Sequence, residues 1–431
     1  MSRFKKYAIN IALALLTIII VLSIAEGILR LTDYKKHLGA RQLRYYYKHD
    51  AIAGFDIAEN CPTRRIHHEG KYYINIWSNE LGCFDKPYKQ EKDYILLVGD
   101  SFTHQFSSFE NKWGTLLEDD IGMRVLKCGV SGYGTRQELI KAEKIIDKIK
   151  HSPKLIIVGY FLNDLDDDYR FPPFVEKNGF LVEKRKIVDY KTGTVEEKDD
   201  ASLERHALSY EKKVICSKYD ECSACSSFLR KLKCWITDNS VLSERIRHAA
   251  SQIKSAVANI KAKALKQNRK SMPLETDMLE FYPLKDFPWL KRAWEIHFEN
   301  LRNFKLLADK NGASLLVVVI PAKEQVYPYF IKNKNIDLEQ PNRFLGEFFQ
   351  KENILYIDLL EPFRKYARKG TSTFLDPEKD LYMRLDKHWS KKGEYLANLL
   401  VSHYIIEKGL VDVSDREKRL EQIRKSISDF N

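Results

Sequence analysis

Apolar positions follow two distinct rhythms along this chain. The first is a nearly unbroken run from Tyr7 to Leu31, interrupted mainly by Asn10 and Glu26 and preceded by Arg3, Lys5 and Lys6. An apolar helix of about 20 residues can span a bilayer. No small-x-small cleavage pattern follows, because Ser23-Ile24-Ala25-Glu26 matches it poorly. Residues 7–31 therefore read as an uncleaved signal anchor behind a short tail, residues 1–6. A buried core helix would carry more polar interruptions.

The second rhythm begins near Tyr94. Short apolar runs at Tyr94–Val98, Arg124–Lys127, Lys154–Phe161, Ser314–Ile320 and Leu355–Leu359 read as strands. Thr135–Lys150, Trp289–Ala308, Arg343–Lys351 and Lys391–Lys408 read as helices, with Asn311-Gly312 ending the second and Ser390 capping the last. Strands that alternate with helices and are apolar throughout predict a parallel sheet covered on both faces. The core then falls into two halves, residues 94–163 and 286–410. Residues 41–93 form an extension with one strand-like run, Lys71–Trp77, and a turn at Asn79–Gly82. Across residues 164–285 the strand rhythm stops. Ile246, Ile253, Val257, Ile260 and Leu265 at roughly helical spacing make this a mainly helical insertion. It reads equally as a cap beside a site or as a solvated excursion. Residues 411–431 form a charged tail.

Composition narrows the class. With 431 residues, 44% hydrophobic, the chain can bury a proper core. Its net charge of +12 is not gathered into a block interleaved with aromatics, and no nucleic-acid-binding motif is present, so nucleic acid is not an expected partner. The charge fits a solvated surface near anionic lipid. The flanks of the anchor do not fix its orientation, because Arg30, Lys35, Lys36, Arg41 and Arg44 match the basic residues before it. Long domains cross largely regardless of charge, which places the bulk of the chain outside the cytoplasm. The seven cysteines agree with export. Cys216, Cys222, Cys225 and Cys234 read as two local disulfides with three possible pairings. A zinc knuckle is disfavoured, because only Cys222 and Cys225 have the spacing it needs. Cys61 and Cys83 are expected as a third bridge, leaving Cys128 as a buried thiol.

Four segments carry candidate chemistry. Gly99-Asp100-Ser101-Phe102 directly follows the first core strand. Parallel α/β sheets bind ligands beyond the carboxyl ends of their strands, so Ser101 would present an accessible hydroxyl and a free amide. Cys128-Gly129-Val130-Ser131-Gly132-Tyr133-Gly134 follows the second strand, where glycine lets backbone N–H groups approach a ligand. Gly159-Tyr160-Phe161-Leu162-Asn163-Asp164 ends the third, and an Asn amide is a neutral donor to a developing oxyanion. Leu385-Asp386-Lys387-His388-Trp389 precedes the last helix and offers a base with a carboxylate two residues away, on the same side of an extended segment. Glu295 and His297 share that spacing but lie on a predicted helix, where such a pair diverges. Taken singly, each segment is better read as a turn, a cap or an ordinary histidine. Together they supply a nucleophile, a backbone donor, an amide donor and a base.

This order of motifs resembles the SGNH (GDSL-type) hydrolase superfamily over about Tyr94–Asp164 and Ser314–Lys408. The resemblance implies a flavodoxin-like three-layer α/β sandwich. It also implies Ser101, Asp386 and His388 as catalytic triad, and an oxyanion hole formed by Ser101, Gly132 and Asn163, with no cofactor or metal. Two features depart from the family pattern. Two extra residues stand between Gly159 and Asn163, and the last block is Asp-x-His-Trp instead of Asp-x-x-His. The shorter block is similar to membrane-associated polysaccharide O-acetyltransferases of the alginate-modifying type, and it tilts the substrate towards carbohydrate acyl esters. Asp100, His104 and Trp389 are expected to line the pocket. The expected activity is a serine esterase outside the cytoplasm, with an O-acyltransferase using the same triad, or an inactive scaffold or glycan-binding protein, as alternatives.

Overall fold

Strands rich in Val, Ile and Leu make the centre of this protein. A computed structural model describes residues 3–31, 46–68, 72–104, 107–177, 180–208, 242, 246, 287–328, 336–368, 375–383 and 386–430. The chain divides into two units: residues 1–41, 66–73 and 219–272, and residues 42–65, 74–218 and 273–431. In the first unit, helix α1 (Arg3–Leu31) contains an 18-residue stretch, Ala12–Leu29, of mean hydropathy 2.5 that is unburied, and the helix is long and apolar enough to cross a membrane. Cys216, Cys222, Cys225, Cys234 and all but two positions of the predicted helix at Leu242–Lys270 lie outside the described residues.

The second unit begins with a hairpin of β1 (Tyr47–Asp50) and β2 (Gly54–Ile57). Strands β3 (Arg64–His68) and β4 (Tyr72–Ile76) form another two-stranded sheet, of which Ile66–Tyr73 belong to the first unit. The central sheet contains β5 (Tyr94–Gly99), β6 (Arg124–Lys127), β7 (Leu155–Tyr160), β12 (Ser314–Val319) and β13 (Leu355–Asp358). Every pairing in it is parallel. Its spatial order is β13-β12-β7-β5-β6. Counted in chain order this is 2-1-3-4-5, the arrangement of flavodoxin-like doubly wound sheets. All residues of β5 and β7 are buried, which requires cover on both faces. One helix layer has α3 (Trp113–Ile121), α11 (Lys391–Lys408) and α12 (Arg416–Ser428) packed together. The other has α4 (Thr135–Ile149), α5 (Asp164–Tyr169) and α7 (Pro288–Lys310). Helix α4 shows why: Leu139, Ala142, Ile145, Ile146 and Ile149 recur at helical spacing and are all buried.

The extension is locked to the sheet by buried charge and a covalent bond. Asp85 meets Lys127 Nζ at 3.0 Å and Arg124 Nη2 at 3.0 Å, with the Asp85 and Lys127 side chains fully buried. Asp56 of β2 pairs with Lys141 of α4 at 2.7 Å, again in the interior. Cys83 is disulfide-bonded to Cys128, their Cα atoms 4.6 Å apart. This corrects the expected Cys61–Cys83 bridge and the free Cys128 thiol. The loop after β4 runs alongside β6, so the end of β6 meets Cys83. Cys61 is disulfide-bonded as well.

The start of the insertion also differs from the mainly helical reading. After α5 come two antiparallel hairpins, β8 (Phe174–Lys177) with β9 (Phe180–Glu183) and β10 (Arg185–Asp189) with β11 (Thr194–Glu197), then α6 (Asp200–Leu208). Val175, Val182 and Leu203 form a small apolar cluster of their own. The flanking runs do not alternate, and the Asn178-Gly179 dipeptide is the one turn signal the first hairpin carries in sequence.

Removing one partner of the buried Asp85–Lys127 pair should be costly. Asp85→Ala takes a carboxylate from both Lys127 and Arg124, leaving them to share Glu118, and is expected to cost about 3 kcal/mol in urea unfolding. Lys127→Met should cost less, because Asp85 and Glu118 both keep Arg124.

Candidate active site

The carboxyl ends of β5, β6 and β7 lie at one edge, and the three motif loops leave from it. Short helix α2 (Ser101–His104) rests directly on that edge because three positions lack a Cβ. A Cβ at Gly99 or Gly159 would come within 2.3 or 2.6 Å of Thr103 Oγ1, and one at Gly129 within 2.6 Å of Thr103 Cβ. Thr103 thus fills a slot made by one glycine from each motif loop. That close approach fixes the position of Ser101.

His388 reaches Ser101 from 287 residues away, with Nε2 2.7 Å from Oγ. Asp386 Oδ1 is bonded to His388 Nδ1 and accepts the His388 backbone N–H at 2.8 Å. The pair meets through this local fold-back rather than as same-side residues of an extended strand. A carboxylate can only accept, so Nδ1 carries the proton and Nε2 is left free to accept from Ser101. Phe102 packs 4.8 Å from the imidazole and 4.5 Å from Phe161, fixing the ring plane. Asp100 Oδ2 also lies 3.2 Å from Ser101 Oγ, but the shorter contact is to His388. Asp100 Oδ1 accepts the Phe102 N–H at 2.9 Å. Burial pushes the Asp100 carboxyl up, with the Phe102 N–H, His388 and Lys387 opposing.

The three predicted oxyanion donors are unequal. Neither the Ser101 N–H nor the Gly132 N–H bonds to any group among the described residues. Asn163 Nδ2 donates one hydrogen to Asp167 Oδ2 at 3.0 Å, leaving the other, while its Oδ1 is buried without a partner. Ser101 Oγ with two unused N–H groups, an imidazole and a carboxylate is the set that acyl transfer requires.

Of the expected pocket residues, Asp100 and His104 touch the motif loops, but Trp389 does not face a substrate. It is 1% exposed, its ring 5.1 Å from Phe102 and 5.2 Å from Phe363. Its size puts it in the core beneath His388, which corrects the pocket expectation.

Several buried polar residues were not foreseen. Burial holds the carboxyls of Glu138 and Asp164 well above the usual range, and neighbouring carboxyls add to it. Asp167 is pushed up to about 7 by burial and Asp166, against Arg170 and the Asn163 amide. His297 meets Asp168 at 2.9 Å, both fully buried. Arg170 is bonded to Asp166 and reaches Asp167 at 3.4 Å. The acidic run Asp164–Asp168 was visible in sequence, but nothing there showed it to be buried. Glu394 of α11 accepts Ser107 Oγ–H at 2.7 Å and the Trp113 N–H at 2.9 Å, tying the helix after His388 to the loop after Ser101. Among the described residues, no group of three or more His, Cys, Asp or Glu side chains is arranged to hold a metal ion.

Two predictions follow from this packing. Gly159→Ala should cost about 1–3 kcal/mol by overpacking. Thr103→Ala in the same chain should recover part of that, since Thr103 Oγ1 is the nearest obstacle and Trp113 is next at 3.4 Å. A double-mutant cycle of unfolding free energies checks it. The second concerns Glu394, which burial raises from 4.5 to about 7 against its hydrogen bonds to Ser107 and Trp113. The folded state favours the protonated form, so this stabilisation is fully present below pH 4.5 and is lost as pH rises through about 7. Glu394→Gln should therefore gain about 3 kcal/mol relative to wild type between acidic pH and pH 8, read from unfolding at both.

No family model matches the chain, and no curated protein matches it. Solved structures do. A GDSL-like lipase from Bacteroides thetaiotaomicron is 11% identical, with 75% of this chain and 92% of that chain covered at a TM-score of 0.31. A lipase/acylhydrolase from Enterococcus faecalis is 12% identical, covering 75% and 99%, at 0.32. A catalytic mutant of an acetylxylan esterase from Geobacillus stearothermophilus is 12% identical, covering 72% and 93%, at 0.30. Overlaps this loose carry no part of the functional argument, which rests on the residues.

Proposed function

We propose that this protein is a serine-dependent ester hydrolase of the SGNH type, anchored in a membrane by α1 and acting outside the cytoplasm on acetyl or other acyl esters of carbohydrate or envelope polymers. The observation that carries the reading is the 2.7 Å contact from His388 Nε2 to Ser101 Oγ, with Asp386 on the far ring nitrogen. A distance in the 2.6–3.2 Å range is what a nucleophile and its base require.

In the proposed mechanism, His388 Nε2 takes the Ser101 proton as Oγ bonds to the carbonyl carbon. The N–H groups of Ser101 and Gly132 and the free hydrogen of Asn163 Nδ2 hold the oxygen that gains the negative charge. Collapse breaks the ester C–O bond, and the leaving alkoxide takes the proton from His388. Asp386 keeps the intervening imidazolium oriented. Water activated by the same nitrogen then releases the acid. A sugar hydroxyl in place of water would make the protein an O-acyltransferase, the alternative that the Asp386-Lys387-His388-Trp389 block favours.

Location rests on two supports. The Cys83–Cys128 disulfide suits an oxidising compartment. An apolar N-terminal helix suits a single span. The carbohydrate preference rests on the last motif block alone.

A fluorophosphonate probe should label wild-type protein, and Ser101→Ala should abolish labelling with the fold intact. Folded wild type that resists the probe would overturn the enzyme reading in favour of a scaffold or glycan-binding protein. Asn163→Ala should lower kcat on p-nitrophenyl acetate by about 10²–10³-fold. Adding an oligosaccharide separates the acceptors: free acetate alone means hydrolysis, while acetylated sugar by mass spectrometry means transfer.

A further inference from the structure

The turn that carries Gly132 belongs to a class with two conformations, which point the Gly132 N–H to opposite sides. Tyr133 N donates to Val130 O at 3.1 Å, closing a turn with Ser131 and Gly132 at its centre. Gly132 has φ +82°, the signature of the third residue of a type II turn. Types I and II keep the same closing hydrogen bond. They differ in the central peptide, here the Ser131–Gly132 unit, which is turned over between them. Glycine populates positive and negative φ at similar cost, so Gly132 does not choose by itself. A flip would carry its N–H to the opposite side of the turn.

One side chain from outside the loop holds that peptide directly, and a second anchors Ser131 through the peptide before it. Tyr47 of β1 donates its hydroxyl to Ser131 O at 3.2 Å. His104, at the end of α2, accepts the Ser131 N–H on Nδ1 at 3.2 Å and lies 3.0 Å from Ser131 Oγ at the same atom. A backbone N–H only donates, so Nδ1 bears no proton, the serine hydroxyl is a donor as well, and the ring is neutral with its proton on Nε2. Burial, reinforced by Lys112 and Lys141, holds the imidazole well below its ordinary pKa, which keeps Nδ1 an acceptor. Tyr47 is itself fixed: it is 3% exposed, its ring 5.0 Å from Phe55, which in turn lies 5.2 Å from Tyr133. In a trans peptide the C=O and N–H point in opposite directions. A hydroxyl bound to Ser131 O therefore aims the Gly132 N–H the other way, and that N–H has no partner among the described residues.

We propose that Tyr47 and His104 are positioning residues: Tyr47 holds the Ser131–Gly132 peptide in the orientation in which the Gly132 N–H can receive the oxyanion, and His104 fixes Ser131, the residue on which that peptide turns, through its N–H and hydroxyl. The proposal rests on Ser101 being the nucleophile. Tyr47 comes from the N-terminal extension, so the extension is part of the working enzyme and not a packing accessory. His104 sits three residues beyond Ser101, so the helix that carries the nucleophile also anchors the residue before the second donor. Nucleophile and oxyanion hole are thereby set by one rigid piece.

The test compares full-length wild type with Tyr47→Phe, His104→Leu and His104→Asn. The assays are hydrolysis of p-nitrophenyl acetate, inhibition by phenylboronic acid and thermal unfolding. Phenylboronic acid bonds to a serine hydroxyl to give a tetrahedral boronate anion, which mimics the oxyanion. Tyr47→Phe keeps the ring and its packing and loses one hydrogen bond. It should lower kcat about tenfold, less than outright loss of a donor, with KM within twofold. Affinity for phenylboronic acid should fall by the same factor. His104→Leu should do likewise, and His104→Asn should lose less, because the amide oxygen can take the place of Nδ1. A Tyr47→Phe protein with an unchanged melting temperature and kcat within twofold of wild type would overturn the proposal. So would a rise in KM with kcat held, or an equal loss in His104→Asn and His104→Leu when both melt as wild type does. If wild type is not labelled by the fluorophosphonate probe, or Ser101→Ala turns over as fast as wild type, the nucleophile assignment itself fails. A labelled, active wild type with unaffected variants removes only the positioning role.

Discussion

Everything at the candidate site depends on how closely α2 can approach the sheet. Thr103 sits where three glycines, one from each of three neighbouring strand ends, leave no Cβ. The motif glycines therefore share one task that no single motif reveals. They let the backbone carrying Ser101 rest on the ends of β5, β6 and β7, against the loops that carry the other two motifs. Interiors are packed densely enough that one added methyl must displace something. A shift of α2 would carry Ser101 away from both its base and its donors. Small errors of position are expensive in this kind of chemistry.

The second half of the core completes the site by holding α2 from the other side. His388 packs on Phe102, Trp389 packs behind the same ring, and Glu394 binds the loop after α2 through Ser107 and Trp113. These contacts join segments more than 280 residues apart. The segment that carries His388 follows β12 and β13, which continue the sheet from β7, so the proposed base and the proposed nucleophile come from opposite halves of the core. The extension adds a third set of restraints through Cys83–Cys128, Asp85 and Asp56, all of which bind β6 or α4, the elements flanking the Ser131–Gly132 turn.

Much of this was legible in sequence because it repeats simple patterns. The strands Arg124–Lys127 and Ser314–Val319 and the helix Lys391–Lys408, with Ser390 accepting from Lys392 N and Gly393 N, lie where apolar runs and caps placed them. Ser101, Asp386 and His388 were named from motifs at strand ends, and the structure brings these three together. What failed has physical causes. The Cys61–Cys83 expectation paired cysteines by proximity in the chain, whereas disulfides follow proximity in space. The hairpins of residues 174–197 are short, polar strands with little apolar rhythm to announce them. Trp389 follows the base directly and invited a binding role, but its bulk is needed in the core. Tyr47 had no signal at all: a tyrosine in a charged segment becomes interesting only once its hydroxyl meets Ser131 O.

The carboxyls beneath the site raise an electrostatic question that its geometry answers. A developing oxyanion gains from nearby donors and loses from nearby negative charge, and both effects are large where water is excluded. Asp100, Glu138, Asp164 and Asp167 lie close enough to act on one another. Fully ionised, they would oppose the charge that the proposed mechanism assigns to Ser101, Gly132 and Asn163. Burial pushes the Glu138 and Asp164 carboxyls well above their usual range, which favours their uncharged forms, and Arg170 offsets Asp166 and Asp167. In the proposed mechanism the useful carboxylate is Asp386, because its charge sits behind the imidazole and would stabilise the imidazolium formed when the serine gives up its proton. Burial thus separates two kinds of carboxyl: those that shape the floor of the site, and the one whose charge can assist the chemistry.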